Sequence, residues 1–172
     1  MTALELDLVG GKVLQPGAGL AQGRLSLAAG RIVAEPVGRA VDLSGYLVLP
    51  GIVDLHGDGF ERHLAPRRGA MKQIDEGVIS AEAELAANGI TTAVLAQFWS
   101  WEGGLRGREF AEQVLAAIKR TRGQVVTDVV AQLRFETHLL EDYAALPGLI
   151  ATHQVPYVVF NDHLPHDRLA EG

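Results

Sequence analysis

After Pro50 the sequence alternates short apolar runs with longer helical patterns, and this alternation constrains the fold more than any other feature. Residues 51–56 are short and largely apolar, and residues 90–96 form a second such run. A third lies within residues 125–135 and a fourth at 155–160. Between the first two, residues 70–88 read as a helix with Gly89 as its C-terminal cap. Between the next two, residues 106–122 place Phe110, Val114, Leu115 and Ile118 on one helical face, with Gly123 ending it. Residues 139–153 read as a third helix, interrupted by Pro147-Gly148. Strand and helix alternating at this spacing predict a parallel sheet joined by right-handed crossovers.

The first fifty residues follow a different grammar. Leu4 to Val9 alternates at period two, Gly10-Gly11 supplies a turn, and Lys12-Val13-Leu14 resumes the pattern. Residues 24–27 and 31–34 flank Ala29-Gly30, a second hairpin signal. The expectation is a small β-domain over residues 1–50, followed by an α/β unit over 51–172.

Charge and composition narrow the partners. A formal net charge of −6 argues against a nucleic-acid or acidic-membrane surface, which would require a basic footprint. The chain has no cysteine, so a metal site must use His, Asp and Glu. Glu5 and Asp7 stand where a secretory signal would carry basic residues, and no run approaches the ~18 apolar residues of a membrane span. The expectation is a soluble, cytoplasmic protein.

The polar residues with chemical potential gather after the apolar runs, where parallel α/β folds place their active sites. The first cluster runs from His56 through Asp58 and Glu61 to Arg62 and His63. The second is Arg134-Phe135-Glu136-Thr137-His138, and the third Asn161-Asp162-His163-Leu164-Pro165-His166. His56 and Asp58 lie two apart, a spacing that on an extended segment points both side chains the same way. Imidazole and carboxylate suit zinc, manganese or iron. A lone His-x-Asp is more often a solvated polar cluster on the surface; three such clusters at equivalent strand ends favour a metal site. Glu136 reads either as a solvated strand end paired with Arg134 or as a metal-holding carboxylate, and His163 as a loop histidine or an Nε2 ligand. His138, His153 and His166 rank below them; His153 falls in a predicted helix with no carboxylate close in sequence. Arg62, His63, Arg67 and Arg68 form a basic stretch suited either to solvent or to phosphate oxygens.

The segment Leu49-Pro50-Gly51-Ile52-Val53-Asp54-Leu55-His56 resembles the entry into the barrel of the amidohydrolase superfamily. There a small N-terminal β-sandwich leads into the first strand of a (β/α)8 barrel. Asp58 in place of the usual second histidine, followed by Glu61-Arg62-His63 and Pro66-Arg67, is similar to the phosphonate-metabolism branch, the PhnM type. Arg134-Phe135-Glu136 and Asn161-Asp162-His163 stand where that branch carries its next motifs. Gly57 and Gly59 depart from it, since larger polar residues are more usual beside the acidic position.

The resemblance implies an α/β protein made of an N-terminal β-sandwich portion, residues 1–50, and the first four βα units of a TIM-like barrel, residues 51–172. It implies a binuclear hydrolase of α-D-ribose 1-methylphosphonate 5-triphosphate that releases diphosphate. His56 and Asp58 would bind one metal, Glu136 would bridge, and His163 would bind the other, with zinc first and manganese or iron as alternatives. Arg62, His63 and Arg67 would meet phosphate or phosphonate, with Glu61 and Asp162 in supporting positions. A whole barrel needs ~250 residues, about twice the length from Gly51 to Gly172. The general base is therefore expected beyond Gly172, and the open edges are expected to be covered by the rest of the barrel or by a partner chain, as in a homo-oligomer. Two other readings stand beside this one. The first is an amide or imide hydrolase of the same superfamily, like dihydroorotases or deacetylases; the second is a catalytically silent half-barrel serving as an interaction module.

Overall fold

Glycine-punctuated alternation over the first fifty residues folds into seven short strands: β1 (Leu6–Val9), β2 (Lys12–Gln15), β3 (Gly19–Gln22), β4 (Leu25–Ala28), β5 (Arg31–Val33), β6 (Ala40–Asp42) and β7 (Leu47–Val48). The computed structural model describes residues 4–64 and 73–168. The chain divides into two units, Met1–Pro50 and Gly51–Gly172.

In the first unit the strands form two sheets, ordered β5-β4-β1-β6 and β3-β2-β7. Ala29 and Gly30, both at positive φ, close the predicted β4–β5 hairpin. Gly10-Gly11 does something else: β1 and β2 belong to different sheets, so this turn passes the chain from one sheet to the other. Gly10 has φ +78°, and a Cβ there would come within 2.7 Å of both Asp42 Oδ1 and Ser44 Oγ, so glycine is required. Asp7 is buried in β1 and accepts hydrogen bonds from Ser26 Oγ at 2.6 Å and from the Val37 and Gly38 amides at 3.0 and 2.8 Å. These donors hold its carboxyl below the usual carboxylate range, Ser26 contributing most.

The second unit contains β8 (Ile52–Gly57), α1 (Glu61–Leu64), α2 (Ile74–Ala87), β9 (Ile90–Trp99), α3 (Arg108–Thr121), β10 (Asp128–Glu136), α4 (Leu146–His153) and β11 (Tyr157–Asn161). Short 3-10 turns precede α3 and α4. The four strands form one parallel sheet ordered β11-β10-β9-β8, so the chain steps regularly from strand to neighbouring strand. The fold is therefore mixed α/β with a four-stranded parallel sheet. No helix among the described residues is long and apolar enough to cross a membrane.

Side chains alternate across a strand, and here the alternation separates two faces. Ala93, Leu95 and Trp99 of β9, with Val129, Ala131, Leu133 and Phe135 of β10, join Val114, Leu115 and Ile118 of α3 and Val78 and Ala81 of α2 in the main core. Trp99 and Phe135 meet edge to face at 5.7 Å. Glu82 is buried on α2, and its Oε1 accepts from the Val126 and Thr127 amides at 3.1 and 2.7 Å, pinning the entry to β10. Arg120 of α3 donates to Asp75 of α2 through Nε and Nη2, at 3.0 and 2.5 Å.

The opposite face carries Val94, Ala96 and Phe98 of β9 and Gln132, Arg134 and Glu136 of β10. All but Arg134 are buried. Across it, the Tyr157 phenol of β11 donates to the Leu55 carbonyl of β8 at 2.7 Å. A flat sheet would hold these outer strands about three strand spacings of ~4.8 Å apart, so the sheet is strongly curled. Its outer strands leave Val53, Leu55 and Phe160 exposed.

Two local expectations need correction. Pro147-Gly148 does not interrupt a helix: Pro147 sits in the first turn of α4, where its missing N–H has no helical partner to lose. The period-two alternation expected to set His56 and Asp58 on one side is broken by a register shift against β9 between Asp54 and Gly57. The strand ends at Gly57, and the His56 amide turns back to Asp54 Oδ1 at 3.1 Å.

Candidate functional site

The carboxyl ends of β9, β10 and β11 converge on one cavity of about 390 Å³, with Phe98, Trp101, Arg106, Glu136 and His163 among its lining residues. Glu136, the last residue of β10, is 1% exposed, which rules out the solvated strand end. Its carboxylate accepts from His163 Nδ1 at 2.5 Å and from the His163 amide at 3.3 Å. An ionised carboxylate can only accept, so Nδ1 carries the proton and the Nε2 of a neutral ring keeps its lone pair. This is the orientation in which a carboxylate presents an imidazole to an electrophile or metal.

His138 lies on the same side. Its Nδ1 is buried without a hydrogen-bond partner, 4.0 Å from Glu136 Oε2, and its ring is 6.5 Å from that of Trp101. The sequence ranked His138 below His56, yet in space it is the nearer histidine to Glu136. Strand periodicity held the signal for Arg134: Gln132, Arg134 and Glu136 share one face of β10. Arg134 does not pair with Glu136. Its guanidinium lies 4.0 Å from the centroid of the Phe98 ring, the residue beside it in the sheet register. Arg106 approaches the same ring at 4.5 Å and pairs with Glu102 at 2.9 Å. Glu102 and, more weakly, Glu61 hold the Arg106 guanidinium even more firmly charged than usual.

The first cluster is placed elsewhere. His56 and Asp58 are exposed at the end of β8. Among the described residues no hydrogen bond or ion pair joins either to Glu136 or His163. Arg62 and His63, expected at phosphate, both turn to Glu84 of α2: His63 Nε2 lies 2.7 Å from Glu84 Oε2, and Arg62 bonds the other oxygen. His63 first, then Arg62, hold the Glu84 carboxyl below its usual range. Arg67 lies outside the described residues. Asp162 bonds His166 Nε2 at 2.7 Å and the Leu164 amide at 3.2 Å, and these bonds lower its pKa, His166 contributing most.

The donor types suit a divalent ion: a buried carboxylate, an imidazole with a free Nε2, and a second imidazole whose buried Nδ1 has no partner. Among the described residues, no group of three or more His, Asp or Glu side chains is gathered closely enough to hold one. No protein-family model matches this chain, and no curated protein matches it.

Proposed function

We propose that this chain carries the front half of a metal-dependent hydrolase of the amidohydrolase type, with an N-terminal β-sandwich portion and the first half of a (β/α)8 barrel. The substrate we propose is α-D-ribose 1-methylphosphonate 5-triphosphate, cleaved to the 5-phosphate and diphosphate. The observation that carries the reading is the Glu136–His163 pair, set at the ends of two neighbouring parallel strands beside an arginine-bearing cavity. Such a position is where parallel α/β enzymes assemble their chemistry.

By the resemblance, two divalent ions, zinc first, would be held by His56, Asp58, a bridging Glu136 and His163, of which Glu136 and His163 are already in contact. Bound metal would supply an activated water and charge neutralisation at the attacked phosphoryl group. The chain's own residues do the positioning. Glu136 fixes the proton of His163 on Nδ1, so the ring meets its partner through Nε2. Burial keeps that carboxylate out of water and its contact strong. The general base and the strands that complete the sheet would come from the rest of the barrel or a partner chain, consistent with the exposed Val53, Leu55 and Phe160 of the edge strands.

The test is phosphorus NMR on the full-length, metal-loaded protein, with the rest of the barrel present, mixed with the ribose triphosphate phosphonate. Release of diphosphate is the expected result. Turnover of a cyclic amide without diphosphate release would overturn the reading in favour of an amide hydrolase. No turnover of either substrate would favour a silent interaction module.

A further inference from the structure

We propose that Arg134, with Arg106 beside it, forms the oxyanion-binding element of the cavity and takes a phosphate or phosphonate group. Arg134 differs from the ion-paired arginines of the second unit. Arg62, Arg106, Arg108, Arg120 and Arg168 each face a carboxylate within the unit. Among the described residues no carboxylate lies within ion-pair distance of Arg134, and its Nε is buried with no acceptor. The acidic side chain next to it on its strand face, Glu136, has both oxygens engaged by His163, and the other, Asp128, stands at the far end of the strand.

The ring of Phe98 holds the Arg134 guanidinium at 4.0 Å and Arg106 reaches that ring at 4.5 Å, so two positive groups converge on one aromatic surface. Phe98 itself lines the cavity. A guanidinium held against an aromatic ring is oriented before any ligand arrives and keeps its N–H edges for a planar pair of oxygens. Arg134 is the free fork; Arg106 shares its charge with Glu102 at 2.9 Å and adds a second positive group at the same ring, which favours an anion of more than one charge over a simple carboxylate. The sequence pointed to Arg62 and His63 for this task; both pair with Glu84 and neither lines this cavity, whereas Arg106 does.

The inference deepens the phosphorylated-substrate reading and rests on it only for the identity of the substrate. Its test uses the full chain and inorganic diphosphate as the probe. Binding is followed by calorimetry and by tryptophan fluorescence, because Trp101 lines the cavity. Saturable binding is expected, weakened at least tenfold in Arg134→Gln and several-fold in Arg106→Gln. Arg134→Lys should also bind more weakly, since an ammonium keeps the charge but loses the planar fork. Circular dichroism checks the fold of each variant. If Arg134→Gln does not fold, Arg134→Lys and the exposed Arg106→Gln decide the matter.

Wild-type affinity in folded Arg134→Gln, or in both Arg134→Lys and Arg106→Gln, would overturn the inference. So would loss of binding in Arg62→Gln alone. Diphosphate binding that depends on Arg134, without triphosphate hydrolysis, would sink the enzyme reading and leave the anion site standing. Hydrolysis with an unchanged KM in Arg134→Gln would do the reverse.

Discussion

The Tyr157 phenol reaches across the parallel sheet to the Leu55 carbonyl, 102 residues away in sequence, and bonds it at 2.7 Å. This contact joins the first strand of the sheet to the last, although neither neighbours the other. Tyr157→Phe keeps the ring and removes the bond. Tyr157 is partly exposed, so the expected loss is at the low end of ~0.5–1.5 kcal/mol, read from urea unfolding. Amide exchange should rise in β8 more than in β10; wild-type protection of β8 in Tyr157→Phe would mean that the bond does not hold the curl.

Glu82 separates a hydrogen-bonding role from a charge role. Its Oε1 accepts two amides at the entry to β10. Glu82→Gln keeps an amide oxygen in that place and should cost little. Glu82→Ala leaves buried donors without a partner and should cost ~1–3 kcal/mol in a denaturant titration. Equal losses in the two variants would count against the acceptor role.

The proposed metal ligands predict stoichiometry. His163→Ala and His56→Ala should each lose at least one bound ion per chain by elemental analysis of purified protein. Unchanged metal content in His56→Ala would make His56 structural. Unchanged content in His163→Ala would remove the central observation behind the hydrolase reading.

Stability should depend on pH through His153, at the end of α4. Burial pushes its pKa below the ordinary 6.5, outweighing the opposing pull of Glu112. Because the folded value is the lower one, the unfolded chain takes up a proton first as pH falls. The contribution is therefore complete above pH 6.5 and declines below it, towards the folded-state value. His153→Gln should show a smaller drop in unfolding midpoint between pH 7.5 and 5.5 than the wild type. An identical drop would locate the dependence in another group.

The alternation of strands and helices after Pro50 was legible because each apolar run in this region became a strand of one sheet and each amphipathic pattern a helix. Gly51 within the entry motif has a physical reason the motif alone does not state: a Cβ there would collide with the Thr91 side chain, so only glycine admits the neighbouring strand. Proximity in sequence did not show which partners the side chains take. Arg62 and His63 lie close after His56, but Glu84, some twenty residues on, returns beside them on α2 and takes both. Spacing could not show the register shift at residues 54–57, since a bulge depends on the partner strand. Arg134 and His138 were visible as residues, but their importance depends on burial, which is set by how the sheet curls and by the elements that cover it.

The contact between His163 and Glu136 divides the imidazole into two chemically separable ends. Asparagine places an amide nitrogen near the position of Nδ1 and nothing near Nε2, whereas glutamine extends an amide towards Nε2 and gives up the short bond. His163→Asn should therefore preserve the closed strand end while emptying the outward valence, and His163→Gln should do the opposite. One ring thus carries its anchorage and its proposed metal-facing nitrogen in different atoms, and substitution can remove either without the other.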